Sequence, residues 1–197
     1  QHAKKYGADG VSSVPPFYYK MSRSYIKEYY RAVAEAAEMP LLIYNIPMLT
    51  GVSIGADFMF EMMEIPNVIG LKFTDTNLEE FRKIKDYQNG RIKAYIGFDQ
   101  MFLCALFMGA NGGIGTWYNL MPRAFSGVFD NYMAGRYEEA YGLLDTLLSQ
   151  NEEPVSILAV FFLGHLGMYC VRAAGQSRAR AFERAPLFYF VNKGEDE

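Results

Sequence analysis

Between Gly10 and Thr116 the chain alternates between strand-like and helix-like hydrophobic patterns, and no other feature limits its fold as tightly. Strand-like runs lie at 10–14, 40–46, 67–73, 92–97 and 112–116, each bounded by turn residues. Residues 24–38 set Ile26, Tyr30, Val33, Ala34 and Ala37 on one helical face. Residues 77–87 do the same with Leu78, Phe81 and Ile84, behind a capping box of Thr76 and Glu79. Shorter helices fit 54–63 and 100–108. Such alternation predicts a parallel sheet, either doubly wound or a (β/α)8 barrel. After Thr116 the pattern is helical over 122–134, 137–150 and 154–173, with no further strand signal.

A chain of 197 residues, 51% of them hydrophobic, is long enough to bury one sizeable core. Its net charge of -3 leaves no basic footprint, which argues against nucleic acid as a partner. The most apolar stretch, 157–171, is short for a bilayer span and contains His165, so it reads as a buried helix and no membrane partner is expected. Cys104 and Cys170 sit in apolar surroundings without metal-ligand spacing, as buried thiols of a cytoplasmic protein. Residues 1–6 followed by GADG read as the last turn of a helix and its glycine stop, so the chain is expected to open within a structural unit, as a fragment.

The polar residues gather at one end of the strands. PPFYY (15–19) follows the first run, YNIP (44–47) closes the second, and Lys72 and Thr74 close the third. Asp99 and Gln100 follow the fourth, and GTWYN (115–119) follows the fifth. In parallel α/β folds the carboxyl ends of the strands share the face where ligands bind. Lys72 ends an apolar strand. A lone lysine there ordinarily reaches solvent, but one held out of water supplies a neutral amine, the nucleophile of Schiff-base chemistry.

In order and spacing, PPFYY, YNIP followed by TGV, GLKFTD, GFDQ and GGIGTWYN resemble the class I pyruvate-dependent aldolases, the family of N-acetylneuraminate lyase and dihydrodipicolinate synthase. The resemblance runs from Gly7 to about Ala173. It implies a TIM (β/α)8 barrel of which this chain holds about the last five βα units plus C-terminal helices, usually as a homotetramer. Residues 1–120 would supply the fourth to eighth strands, and 121–197 the last barrel helix, a helical extension and a divergent tail. The first three strands, with the loop that holds the pyruvate carboxylate, would be absent, leaving two open sheet edges.

Carried over by resemblance, Lys72 forms an imine with a 2-keto acid and Tyr44 carries the proton, with no metal or organic cofactor. Thr74, Gly97, Asp99, Gln100 and Thr116 would bind the substrate. FYY, GFDQ and the GGIGTWYN loop look more like the sialic acid lyase branch than the dihydrodipicolinate branch. Gln100 stands where that branch has a glutamate, and Thr116 where it more usually has serine. A neutral amide also donates hydrogen bonds, so the preferred sugar tail is expected to differ. Read without the family, Asp99 is equally a helix N-cap.

Other features carry less. GANGGIG lacks the glycine spacing of a dinucleotide site, and His2 and His165 lack ligand-spaced partners. Two readings of different class remain: a sugar-acid aldolase, with dihydrodipicolinate synthase as its rival, and a non-catalytic half-barrel or one completed by another chain.

Overall fold

The computed structural model describes residues 2–149, 168–173 and 187–192. All five runs are strands: β1 (Gly10–Ser13), β2 (Leu41–Asn45), β3 (Val68–Phe73), β4 (Lys93–Ile96) and β5 (Gly112–Ile114). They lie side by side in sequence order, every neighbour parallel. A doubly wound sheet reverses its order at a switch point. This order never reverses, and the sheet is the curled half of a barrel.

The helices follow from capping and burial. The first, α1 (His2–Lys5), leads into β1. The next, α2 (Arg23–Ala37), starts at Ser22, whose hydroxyl accepts from the Tyr25 amide at 3.3 Å, and stops at Glu38 with φ 51. It buries Ile26, Tyr30, Ala34 and Ala37. A short turn, α3 (Pro47–Thr50), and α4 (Ala56–Met62) then lead to β3. Helix α5 (Leu78–Lys85) begins one residue later than the capping box predicts, because Asn77 takes the cap with Oδ1 accepting from the Glu80 amide at 3.1 Å. Asparagine is as strong an N-cap as any residue, and it displaces the Thr76–Glu79 arrangement. A 3-10 turn at Asp99–Met101 precedes α6 (Phe102–Phe107). Helices α7 (Trp117–Leu120), α8 (Pro122–Met133) and α9 (Tyr137–Ser149) follow β5.

Side chains alternate across the strands. Val11, Leu41, Ile43, Leu71, Phe73, Ala94 and Ile96 join the helices in one core, while Tyr44, Lys72 and Tyr95 line up across the register on the other face. Cys104, expected to be buried, is exposed: α6 buries Phe102, Leu103, Ala105 and Leu106 and turns the thiol outward.

The tail departs from its helical reading. Met168–Ala173 is a strand, β6, antiparallel to β1, and Leu187–Asn192 is a strand, β7, antiparallel to β5. The two pair parallel to each other and close the order β1-β2-β3-β4-β5-β7-β6. MYCVRA and LFYFVN suit strands by their aromatic and β-branched content, and they occupy both edges of the parallel sheet. The rest of the predicted helix at 154–173, with His165, lies outside the described residues. Among the described residues, no helix is long and apolar enough to cross a membrane.

Candidate active site

Lys72 is the penultimate residue of β3 and is 4% exposed. Its amine lies over the ring of Tyr44, 4.0 Å from the centroid. A desolvated cation gains about 2 kcal/mol from an aromatic face, which offsets part of the cost of burial. Tyr44 and Tyr95 are its neighbours in β2 and β4, and both are buried.

Past the strand ends the ladder continues and fixes the next residues. The Thr74 amide donates to the Asn45 carbonyl at 2.8 Å, and the Gly97 amide donates to the Phe73 carbonyl at 2.7 Å. Thr74 is 5% exposed, and its hydroxyl has no hydrogen-bond partner among the described residues. Gly97 leaves the space they occupy: a Cβ there would collide with the Thr74 hydroxyl and lie 2.9 Å from Lys72 Cε. Lys72, Thr74 and Gly97 therefore form one contact group.

Asp99 is buried on the 3-10 turn after β4. Its Oδ2 accepts from the Trp117 amide at 2.8 Å. The carboxylate caps α7 across the sheet, where the sequence predicts at most a cap on its own helix. Burial pushes the Asp99 carboxyl up to about 6, against the opposing pull of the Trp117 amide and the Lys72 charge. Gly115 admits it, because a Cβ there would overlap Asp99 Oδ1.

Thr116 is half-buried at the N-cap position of α7 and makes no side-chain cap. Asp99 performs that task, which leaves the threonine hydroxyl outside the cap. Gln100 is exposed, although its neighbour Asp99 is buried. Thus Lys72, Tyr44, Thr74, Gly97 and Asp99 are joined by contact or charge, Thr116 adjoins them through the Asp99–Trp117 bond, and Gln100 stands apart.

Sequence reasoning gave no structural role to three residues around the group, although Asn45 already stood beside Tyr44 in YNIP. Tyr95 flanks Lys72, and period-two counting from Gly97 would have placed it on the same face. Asn45 orients the loop after β2, its Oδ1 accepting from the Ile54 amide at 3.0 Å. The third, Tyr118, buries its hydroxyl against Gly113, and only the three-dimensional packing of α7 reveals it.

The model of the dihydrodipicolinate synthetase family matches residues 1–161. The N-acetylneuraminate lyase of Rhizobium meliloti is 39% identical over 140 residues, which make up 71% of this chain and 46% of that protein. The chain spans about half the length of the curated relatives it matches. Among solved structures, a catalytic lysine mutant of Ruminococcus gnavus sialic acid aldolase superposes with a TM-score of 0.71 at 29% identity, over 75% of this chain and 49% of that one. A prophage protein of the dihydrodipicolinic acid synthase family from Escherichia coli, in complex with pyruvate, gives 0.69 at 28% identity, over 75% and 51%. With the buried lysine at a barrel strand's end and a match over most of its length, the chain belongs to the dihydrodipicolinate synthetase family.

Proposed function

We propose that this chain carries the Schiff-base centre of an aldolase that cleaves a sugar-type 2-keto acid, N-acetylneuraminate-like, to pyruvate and an N-acetylmannosamine-like aldehyde. One observation carries the reading: Lys72 is held out of water with its amine against the Tyr44 ring. The Lys72 amine attacks the keto carbon, and loss of water leaves an imine. Its protonated form accepts the electron pair of the C3–C4 bond as that bond breaks. Tyr44 takes the proton of the C4 hydroxyl, so the aldehyde leaves neutral. The enamine then gains a proton at C3, and hydrolysis releases pyruvate and the free amine.

Asp99, with the hydroxyls of Thr74 and Thr116 and the Gly97 backbone, would hold the hydroxylated tail. The curated N-acetylneuraminate lyases among the relatives support this branch. The exposed position of Gln100 makes it the outermost contact and the weakest determinant of that set. Dihydrodipicolinate synthase chemistry shares the imine and differs in the acceptor, and a buried carboxylate favours a hydroxylated one.

The reading includes self-association, by resemblance as a homotetramer. Exposed Phe17, Tyr18, Tyr19 and Tyr25 support it, an aromatic surface of the kind found in subunit contacts. A cytoplasmic location accords with the free thiol of Cys104.

Borohydride trapping with pyruvate, read by intact mass and peptide mapping, tests the proposal. The expected result is a reduced adduct on Lys72 that vanishes in Lys72→Ala. Folded chain that yields no adduct would overturn the claim that it is catalytic by itself.

A further inference from the structure

Helix α7, whose first amide is held by Asp99, carries Tyr118 as its next residue, near enough for the carboxylate charge to act on the phenol. The Tyr118 ring is fully buried, with centroids 5.3 Å from Phe102 and 4.5 Å from Phe125. Its hydroxyl fills the space that a Cβ on Gly113 would occupy, and Asp99 Oδ1 fills the corresponding space at Gly115. Gly113 and Gly115 stand two residues apart, a stretch of chain that spans at most about 7 Å. Both oxygens therefore lie beside the same short glycine segment at the end of β5.

Hydrogen-bond accounting points the same way. Tyr118 OH and Asp99 Oδ1 are both buried without a partner among the described residues, whereas Asp99 Oδ2 is already satisfied by the Trp117 amide. Burial first, and then the nearby Asp99 charge, push the Tyr118 phenol well above its ordinary range, so it keeps its proton. A donor without an acceptor stands beside an acceptor without a donor. The titratable groups acting on Asp99 are Lys72 from β3 and Tyr118 from α7; the ring neighbours Phe102 and Phe125 carry no charge.

We infer that Tyr118 is a positioning residue for Asp99, its hydroxyl donating through one water to Oδ1 and holding the carboxylate ionised and fixed in orientation toward a hydroxylated substrate. The inference rests on the proposed role of Asp99 in tail binding. It adds the group that sets that carboxylate's charge state, and nothing in it requires Tyr118 to touch substrate.

The test is carboxyl carbon NMR titration of the native chain and of Tyr118→Phe, with the Asp99 signal assigned through Asp99→Asn. Losing a donor to a carboxylate favours its protonated form, so the Asp99 midpoint should rise by about one pH unit in Tyr118→Phe. An unchanged midpoint together with a higher melting temperature would overturn the inference, since it would mark the phenol as an unsatisfied hydroxyl that is better removed. Should Tyr118→Phe fail to fold, the native chain decides: the Tyr118 ring carbon beside the hydroxyl should step at the Asp99 midpoint, and no step overturns the link. Pyruvate trapping separates this from the aldolase reading. An adduct retained in Tyr118→Phe with a shifted midpoint is the expected pair, while a native chain that shows the link but traps no pyruvate would sink only the aldolase reading.

Discussion

Tyr44 faces Lys72 because the ladder between β2 and β3 slips by one residue at Ile69: Leu41 pairs with Val68, but Leu42 pairs with Gly70. An unbroken ladder would set Tyr44 opposite Leu71, which belongs to the core side. The slip is a β-bulge, a device common beside active sites. It leaves Ile69 37% exposed and sets the one contact on which the proposed chemistry depends.

That contact separates two functions within one side chain, the ring that shelters the amine and the phenol that moves a proton. Tyr44→Phe keeps the ring. Pyruvate should still be trapped on Lys72, whereas cleavage of the keto acid should fall by about 10²–10⁴, the usual contribution of a general acid or base. Steady-state turnover beside borohydride trapping checks it, and unimpaired turnover would remove Tyr44 from proton transfer.

Gly97 is constrained by its neighbours. A Cβ would strike the Thr74 hydroxyl and press on Lys72 Cε, while the Gly97 amide is tied to Phe73. Gly97→Ala is therefore expected to cost about 1–3 kcal/mol, as overpacking does, and to slow adduct formation. Gly51 offers a control. Its φ is 66 and nothing lies within 4 Å of a Cβ there, so Gly51→Ala should cost about 1 kcal/mol from backbone strain and leave trapping intact. Denaturant melts and trapping rates on the two variants distinguish crowding at the site from strain away from it.

Asp99 links the site to pH. Its folded carboxyl titrates at about 6, above the ordinary 3.8, so the native state holds its proton where the unfolded chain has released it. Stability from this group is fully present below about pH 4 and is lost as pH rises toward 6, amounting to about 3 kcal/mol. Between those values the native chain should lose stability relative to Asp99→Asn. Urea melts across that range measure the difference, and a flat difference would mean that Asp99 is better hydrated than its burial implies.

The sequence was most legible where local pattern decides. All five parallel strands were recognised, with ends off by at most two residues, because apolar runs and turn residues mark them without reference to the rest of the chain. The place of Lys72 near the end of a buried strand was legible for the same reason, whereas its proposed role as nucleophile came from the other motifs around it. Long-range events were hidden. The bulge at Ile69 depends on what β2 presents to β3, and the cap that Asp99 provides to α7 joins residues 18 apart in sequence. The strands at Met168–Ala173 and Leu187–Asn192 depend on the sheet edges they meet. Read alone, the first continued an apolar helical stretch and the second was an aromatic tail. Gln100 shows the converse: motif order placed it beside Asp99, but the 3-10 turn buries one residue and exposes the next.

The loop after β1 supplies the remaining test. Phe17, Tyr18 and Tyr19 are 55%, 84% and 68% exposed, and Tyr25 at the start of α2 is 70% exposed. Aromatic rings left in water forfeit about 1.5–3 kcal/mol each relative to burial, which a second copy of the chain would recover by covering them. Tyr18→Ser with Tyr19→Ser should therefore shift sedimentation toward smaller species at equal concentration. The core residues of α2, Ile26 and Tyr30, face the other way, so the melting temperature of the dissociated chain should change little. A native chain that sediments as a monomer at concentrations where pyruvate is trapped would show that the aromatic surface serves no self-assembly needed for imine formation.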